Sequence, residues 1–225
     1  MKHGYFVTGT STGVGKTYVT AALALHARSK GLRVFAFKPI ETGCEPTQHG
    51  QPLQLGSDQQ VLVAAAGGWQ TGALAGAYQF EPPVAPSVAS RAASIEISVP
   101  TILEVLARGS EQADFVLVEG AGGWRVPISA TLDMSELARA CAFPVLVVAT
   151  ATLGTINHSL LTAQAIERDG QVVAGIILSQ HPADDLAMVE SNLEQLRSRW
   201  SGPILALHTD LTVLDPFVQV RYPAS

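Results

Sequence analysis

The sequence predicts an α/β fold of three layers, in which helices cover both faces of a mostly parallel central sheet. Short apolar runs alternate with stretches of helical periodicity along the 225 residues. The strand candidates are continuous apolar runs such as 143–150, which is typical of strands buried on both faces. The chain also opens with a strand–helix–strand unit, which favours parallel pairing and a right-handed crossover between its two strands.

The opening unit is marked by local signals. Residues 5–7 form a short apolar run, and residues 16–29 carry apolar side chains at helical spacing. Gly31 suits the position after the helix C-cap. Residues 33–40 then predict a buried strand that ends at Pro39.

The region after this strand has weaker signals. Residues 41–57 are polar and rich in glycine and proline, which predicts a loop. Ser57 is the predicted N-cap of a helix over about 58–66. The glycine-rich stretch 67–78 has no clear period.

The rest of the chain continues the alternation. One short predicted helix begins at Pro86. The other predicted helices cover 99–108, 133–140, 155–168 and 183–200. The predicted strands cover 114–124, 143–150, 171–179 and 203–207. We see no internal repeat, and the length suits a single domain over residues 1–225.

Composition restricts the function classes. Apolar residues make up 47% of the chain, and 19 acidic against 14 basic residues give a net charge of −5. The acidic balance argues against a nucleic-acid or anionic-membrane partner, because both favour basic surfaces. The sequence shows no signal peptide and no apolar run of about 18 residues, and its two cysteines suit a reducing cytosol. We therefore expect a cytoplasmic protein.

Residues 8–17, TGTSTGVGKT, connect the first strand to the first helix. Gly13 and Gly15 allow the backbone to curl so that N–H groups converge on an anion at a helix N-terminus. Lys16 can reach terminal phosphates, and the Thr17 hydroxyl can ligate Mg²⁺. The stretch therefore predicts a nucleotide site and a P-loop NTPase-like fold.

The match to the usual spacing, G-x-x-x-x-G-K-[ST], is incomplete. Thr10 stands where the first glycine belongs, and Gly9 lies one residue earlier. The alternative is a glycine-rich turn with an incidental Gly-Lys-Thr. The strand before the loop and the helix after it favour the phosphate site.

Functional groups in parallel α/β sheets gather at the carboxyl ends of strands. Lys38 ends the second strand and is either a surface lysine or a second positive charge for phosphoryl transfer, which its place beside the loop favours. Glu119 stands where P-loop proteins carry an acidic metal residue, and the alternative is a carboxylate in a tight turn. Asp58 is equally well explained as an acid in the first turn of a helix.

A fourth strand end leads into residues 155–157. Their N–H groups either receive a carboxylate or form an ordinary helix start. His158 has no cysteine or histidine cluster around it and is expected to be structural. Cys44 has no catalytic partners nearby in the sequence and is expected to be a bystander.

Five segments, in this order, resemble the dethiobiotin synthetase family: YFVTGTSTGVGKT, FKPIETG, SD before a helix, VLVEGAGGW and LGTINHSLLTAQAI. They span residues 5–166. The family's own phosphate loop has the form Gly-Thr-x-Thr-x-Val-Gly-Lys-Thr, so the unusual glycine spacing supports the resemblance. The resemblance implies a P-loop NTPase-like α/β/α fold and an ATP-dependent ligase of biotin synthesis.

The resemblance also implies the reaction. In the family, 7,8-diaminononanoate, CO₂ and ATP give dethiobiotin, ADP and phosphate. An amine captures CO₂ as a carbamate, a carbamate oxygen attacks the γ-phosphate, and the neighbouring amine closes the ureido ring as phosphate leaves. Mg²⁺ as cofactor, ATP as co-substrate and a homodimer with substrate near its interface are implied as well.

Roles for single residues follow from the matching motifs. The nucleotide would be held by Gly13, Val14, Gly15, Lys16, Thr17, Tyr18, Glu119, Gly120, Ala121, Gly122 and Ser179. The catalytic lysines would be Lys38 and Lys16. The Mg²⁺ ligands would be Thr17, Asp58 and Glu119. The diamine region would be contacted by Thr12 and Thr42, and the tail carboxylate of the substrate by Thr155, Ile156 and Asn157.

The sequence departs from the family at the base-binding end. Many relatives have asparagine where this chain has Ser179, and the family's later proline-containing segment corresponds here to ALHTDL, without proline. An amide can pair with adenine through two hydrogen bonds, whereas one hydroxyl cannot. We therefore expect weak selectivity for ATP over other nucleoside triphosphates.

Two other P-loop classes share the predicted core. Switch ATPases of the partitioning type usually carry a lysine five residues before the loop lysine, where this chain has Ser11. Amide synthases of the cobyrinate type normally add a glutaminase domain. The motifs favour the synthetase over both.

Overall fold

A computed structural model of the protein describes residues 3–45 and 56–218. Its eight strands, in chain order, are β1 (His3–Gly9), β2 (Val34–Phe37), β3 (Ile40–Thr42), β4 (Tyr78–Phe80), β5 (Phe115–Gly123), β6 (Val145–Thr150), β7 (Val173–Ser179) and β8 (Ile204–Leu207). Six of them form a parallel main sheet in the order β2-β5-β1-β6-β7-β8. The other two, β3 and β4, form a separate parallel pair, called here the small sheet.

Seven α-helices occupy the described residues: α1 (Lys16–Ser29), α2 (Ser57–Ala65), α3 (Pro86–Ala93), α4 (Val99–Glu111), α5 (Met134–Cys141), α6 (Thr155–Arg168) and α7 (Leu186–Arg197). Two 3₁₀ segments, Gly72–Leu74 and Leu211–Phe217, complete the elements. Among these helices, none has the length and apolar character needed to cross a bilayer.

The main sheet is buried on both faces. On β1, Phe6 points into one core while Tyr5 and Val7 point into the other. Helices α1 and α2 and the second 3₁₀ segment pack on the Tyr5 side, and α4 to α7 pack on the Phe6 side. The predicted three-layer α/β/α fold with a parallel main sheet is confirmed.

Helix ends follow local sequence signals. Helices α1 and α6 have the predicted bounds, and Gly31 takes a φ of 83° directly after the C-cap of α1. Helix α5 begins with a capping box, in which Asp133 accepts from the Ser135 N–H and Glu136 accepts from the Asp133 N–H. These ends were predictable because their partners lie within one turn.

Three predictions about the first half of the chain are wrong. The strand predicted over 33–40 divides, because Pro39 has no N–H to continue a ladder, and Ile40 instead pairs with Tyr78 in the small sheet. Strands β1 and β2 are parallel but not neighbours, since β5 lies between them. The N-cap of α2 is Gly56 rather than Ser57.

The loop predicted over 41–57 is also partly corrected. Glu41 and Thr42 belong to β3, and residues 46–55 lie outside the described part of the chain. Strand β4, which begins at the last residue of the glycine-rich stretch 67–78, was not predicted.

Candidate functional site

The loop between β1 and α1 has the backbone of a phosphate cradle. Gly13 and Gly15 have φ angles of 76° and 87°, a region that residues with a side chain rarely adopt. A Cβ on Gly15 would also lie 2.2 Å from the Ser179 hydroxyl oxygen. Gly15 is therefore required both by its conformation and by its contact with the end of β7.

Lys16 is the first residue of α1 and is only 6% exposed. Its ammonium donates to the Ser11 carbonyl at 3.2 Å, across the loop. Burial lowers the pKa of Lys16 and outweighs the attraction of Glu119. A bound polyphosphate would favour its charged form.

Lys38 follows β2 directly and joins two carboxylates. Its ammonium lies 3.0 Å from Glu119 Oε1 on β5 and forms an ion pair with Asp58 on α2. The Thr17 hydroxyl donates to the same Glu119 oxygen at 2.8 Å. We call Thr17, Lys38, Asp58 and Glu119 the charged cluster. Helices α1 and α2, strand β5 and the residue after β2, all far apart in sequence, meet in it.

The charged cluster keeps Lys38 protonated. Burial would lower the pKa of Lys38, but the negative charges of Glu119 and Asp58 outweigh it, and the pKa is raised. A buried ammonium is stable here because two carboxylates compensate it. The alternative of a solvated surface lysine is excluded, since Lys38 is only 6% exposed.

The oxygen atoms of the cluster fit a hard divalent cation. Glu119 is fully buried, and its Oε2 has no hydrogen-bond partner within residues 3–45 and 56–218, although a buried carboxylate oxygen normally has one. One hydroxyl and two carboxylates, from Thr17, Asp58 and Glu119, are the donor types that Mg²⁺ prefers. An Mg²⁺ ion would satisfy the unpaired oxygen.

Two buried polar residues beside the cluster had no predicted role. The carboxylate of Glu41 accepts from the backbone N–H groups of Asp58 and Gln59. The Gln59 side chain donates to the Lys38 carbonyl at 3.0 Å. No local pattern marks Glu41, because its partners lie 17 and 18 positions away. Gln59 has one local partner, the Gly56 N–H, but its contact with Lys38 spans 21 positions.

A cavity of about 570 Å³ opens over the charged cluster. Most of the predicted site residues line it: Thr12, Gly13, Gly15, Lys16, Thr17, Tyr18, Lys38, Thr42, Asp58, Ala121 and Gly122. Glu119 lies buried beneath it, and Gly120, the next residue of β5, packs against Met134 and Phe6. The structure thus brings the loop, the second lysine and the substrate candidates Thr12 and Thr42 to one place.

A second cavity of about 460 Å³ shares Gly13, Gly15 and Tyr18 with the first. Val14 and Ser179 line this second cavity. His208, which sequence reasoning did not single out, also lines it, and the buried Nε2 atom of His208 has no partner among the described residues.

The three residues predicted for the substrate tail lie elsewhere. Thr155, Ile156 and Asn157 form the first turn of α6 and line neither cavity. Thr155 is buried and Asn157 is exposed. Within one chain the structure does not bring them to the charged cluster.

His158, expected to be structural, and Cys44, expected to be a bystander, show no feature of a reactive group within the described part of the chain. His158 is exposed on α6. Cys44 is buried, and burial raises the pKa of its thiol, which disfavours the nucleophilic thiolate.

Comparison with known proteins gives a consistent result. Residues 3–214 match a family model described as an AAA domain. The chain is 44% identical over 212 residues to the ATP-dependent dethiobiotin synthetase BioD of Pseudomonas aeruginosa strain PAO1, covering 89% of this chain and 87% of the relative. It is 37% identical over 204 residues to the BioD of Xanthomonas axonopodis pv. citri, covering 90% of this chain and 89% of the relative.

Two solved structures share the fold. The MinC:MinD cell division protein complex of Aquifex aeolicus has a TM-score of 0.56 at 12% identity, covering 96% of this chain and 85% of that one. The pNOB8 ParA protein bound to nonspecific DNA has a TM-score of 0.54 at 14% identity, covering 95% and 78%. At such identities the likeness shows the fold alone.

Proposed function

Since the chain belongs to the family of ATP-dependent dethiobiotin synthetases, ligases of biotin biosynthesis, we propose that the cavity over its charged cluster joins 7,8-diaminononanoate and CO₂ at the expense of ATP. The products are dethiobiotin, ADP and phosphate. The observation that carries the proposal is the meeting of Lys16, Lys38 and the Thr17 hydroxyl over one cavity of about 570 Å³.

The first step forms a carbamate. One amine of the diamine attacks CO₂ and loses a proton, which gives an anion that needs no general base for the next step. Thr12 and Thr42 line the same cavity as the lysines and supply hydroxyls to orient the diamine.

The second step transfers the γ-phosphoryl group. A carbamate oxygen attacks the γ-phosphorus as ADP leaves, and catalysis here depends on position and charge compensation. Lys16 and Lys38 place two ammonium groups where negative charge spreads, and the raised pKa of Lys38 keeps it charged at neutral pH.

The third step closes the ring. The neighbouring amine attacks the carbonyl carbon of the mixed anhydride, phosphate leaves with its bridging oxygen, and the amine loses a proton. Lys38 remains in place to compensate the charge of the departing phosphate.

Thr17, Asp58 and Glu119 would hold Mg²⁺, which when bound supplies charge neutralisation at the phosphates. The unpaired Oε2 of Glu119 supports this assignment. The carboxylates of Asp58 and Glu119, which would bind the metal, are the same groups that pair with Lys38 in the charged cluster.

We also propose a cytoplasmic homodimer in which Thr155–Asn157 of one subunit receive the substrate tail at the other. The exposure of Leu153 (91%) and Leu161 (57%), before and within α6, supports a contact surface there. Mixing a Lys38→Ala subunit with an Asn157→Asp subunit should restore activity to some mixed dimers, and no restoration would contradict a shared site.

The function is tested by phosphate release from Mg-ATP and bicarbonate, with and without the diamine. We expect release that depends on the diamine and falls about 100- to 1000-fold in Lys38→Ala. Release that ignores the diamine would instead indicate a switch ATPase. Arg139→Ala, an exposed change on α5, serves as the control variant.

A further inference from the structure

The N-terminus of α2 is capped by a residue from another element. Its N-cap, Gly56, has no side chain to accept from the first N–H groups of the helix. Glu41 on β3 takes that role, because its two carboxylate oxygens accept from Asp58 N at 3.0 Å and Gln59 N at 2.9 Å. Glu41 is only 4% exposed.

The absence of a side chain at Gly56 makes room for this cap. A Cβ built on Gly56 would lie 2.0 Å from the carboxyl carbon of Glu41. The chain therefore has either a side chain at position 56 or a carboxylate from position 41 at this spot, but not both. The φ and ψ of Gly56, −58° and 160°, are open to any residue, so the contact, and not the backbone, excludes a side chain.

The cap binds two residues of α2, Asp58 and Gln59, that both contact Lys38. Asp58, whose N–H Glu41 binds, forms the ion pair with Lys38. Gln59, the second capped residue, is fully buried and donates from its amide to the carbonyls of Lys38 and Tyr78. One carboxylate thus orders the backbone that places Asp58 and the side chain that holds Lys38.

We propose that Glu41 is a positioning residue, which sets Asp58 and Lys38 for metal binding and phosphoryl transfer by capping α2 from the small sheet. The inference rests on the proposed function. Glu41 does not line the cavity, so it acts through its two neighbours and not on the substrate.

The first test replaces the cap without changing its size. In Glu41→Gln, one oxygen becomes an NH₂ group that faces a backbone N–H, so one of the two hydrogen bonds is lost. We expect kcat to fall about tenfold or more while KM for ATP stays within about twofold, because the phosphate loop is untouched. Glu45→Gln makes the same chemical change at an exposed position and should leave both constants unchanged.

The decisive test uses the fact that the Glu41 carboxylate and a side chain at position 56 cannot occupy the same space. Gly56→Ser alone should be damaging, since its Cβ meets the Glu41 carboxylate. In Glu41→Ala the space is free, and Ser at 56 can cap the same N–H groups in the ordinary way. We expect the Glu41→Ala/Gly56→Ser protein to recover kcat to within about threefold of the unaltered protein, although each single change is harmful.

Two readouts do not depend on turnover. Amide hydrogen exchange at Asp58 and Gln59 should accelerate at least about tenfold in Glu41→Gln and return to its original rate in the double variant. Binding of Mn²⁺ to the ADP complex, followed by electron paramagnetic resonance, should weaken and recover in the same order.

The outcomes separate the two proposals. Additive damage in the double variant, or equal exchange rates in Glu41→Gln and Glu45→Gln, would overturn the positioning role even if the diamine-dependent reaction is intact. Conversely, phosphate release that ignores the diamine would overturn the function and leave the exchange results standing.

Discussion

The charged cluster joins two parts of the molecule that are built very differently. Thr17 and Glu119 belong to the main-sheet half, where β5 is paired on both sides and Glu119 is fully buried. Asp58 lies at the N-terminus of α2, where its side chain is 40% exposed and Glu41 from a three-residue strand caps the helix. We call this N-terminus, together with β3 and β4, the small-sheet half, although the body of α2 packs on the main sheet. Lys38 stands at the junction, between β2 and β3.

The difference shows that one site is supported by two sheets of very different size. Six parallel strands hold the loop and Glu119, whereas a pair of three-residue strands has little stability of its own. The main-sheet half can keep the phosphate cradle in shape through the reaction. The small-sheet half depends instead on packing against the shared core, to which Ile40 and Phe80 belong.

The largest effect should come from the buried carboxylate of the main-sheet half. Glu119→Gln removes a charge that compensates Lys38 and leaves Thr17 with a poorer acceptor. We expect kcat/KM to fall about 1000-fold and the free energy of unfolding to fall by about 3 kcal/mol. Coupled phosphate release and urea unfolding measure the two effects. An unchanged unfolding midpoint would show that Glu119 contributes nothing to stability.

Replacing the partly exposed carboxylate of Asp58 should lower activity without a matching loss of stability. In Asp58→Asn we expect kcat to fall about 10- to 100-fold, because Asp58 is one of three proposed metal ligands. The free energy of unfolding should change by less than about 1 kcal/mol, since solvent screens a pair that is partly exposed. Losses of stability equal to those of Glu119→Gln would remove the distinction between the two halves.

The alkylation rates of the two cysteines would measure the opening of the two halves separately. Cys44 lies after β3, and Cys141 ends α5 in the core under the main sheet. In single-cysteine proteins, iodoacetamide at pH 8 should label Cys44 at least about tenfold faster, since local opening of the small sheet requires less free energy than global unfolding. Equal rates would mean that both halves open together.

Burial of the Cys141 thiol also makes the free energy of unfolding depend on pH at alkaline values. The pKa of this thiol is raised to about 12, from about 8.5 in an unfolded chain. Between these values the unfolded state loses the proton first, so the free energy of unfolding falls as pH rises, by up to about 1.4 kcal/mol per unit. Below about pH 8 there is no contribution. Urea unfolding at pH 8 and 10 should show a smaller decrease in Cys141→Ala than in the unaltered protein.

The smallest effect is expected at the base-binding end, which lies wholly on the main-sheet half. Ser179 offers one hydroxyl where an amide would pair twice with adenine. We expect kcat/KM for ATP to exceed that for CTP and GTP by less than about tenfold, and Ser179→Asn to raise this preference a few-fold. A preference of tenfold or more in the unaltered protein would contradict the expectation.

Much of the main-sheet half was predictable because its signals are local. The apolar run before the loop, the glycines at 13 and 15 and the lysine at the helix start all lie within about a dozen positions. The bounds of α1 and α6 were predicted correctly for the same reason. The small-sheet half was predicted poorly, since β4 has only three residues at the end of a glycine-rich stretch and the cap of α2 comes from residue 41.

The sequence by itself determined the fold class, the phosphate loop and the family, because periodicity, turn chemistry and motif spacing act between near neighbours. Only the tertiary structure decided that β5 separates β1 from β2, that the run at 33–40 divides at Pro39, and that Glu41 caps the helix carrying Asp58. These outcomes depend on burial and on hydrogen bonds between residues far apart in the chain. Such contacts form only when the core assembles, so no local sequence pattern predicts them.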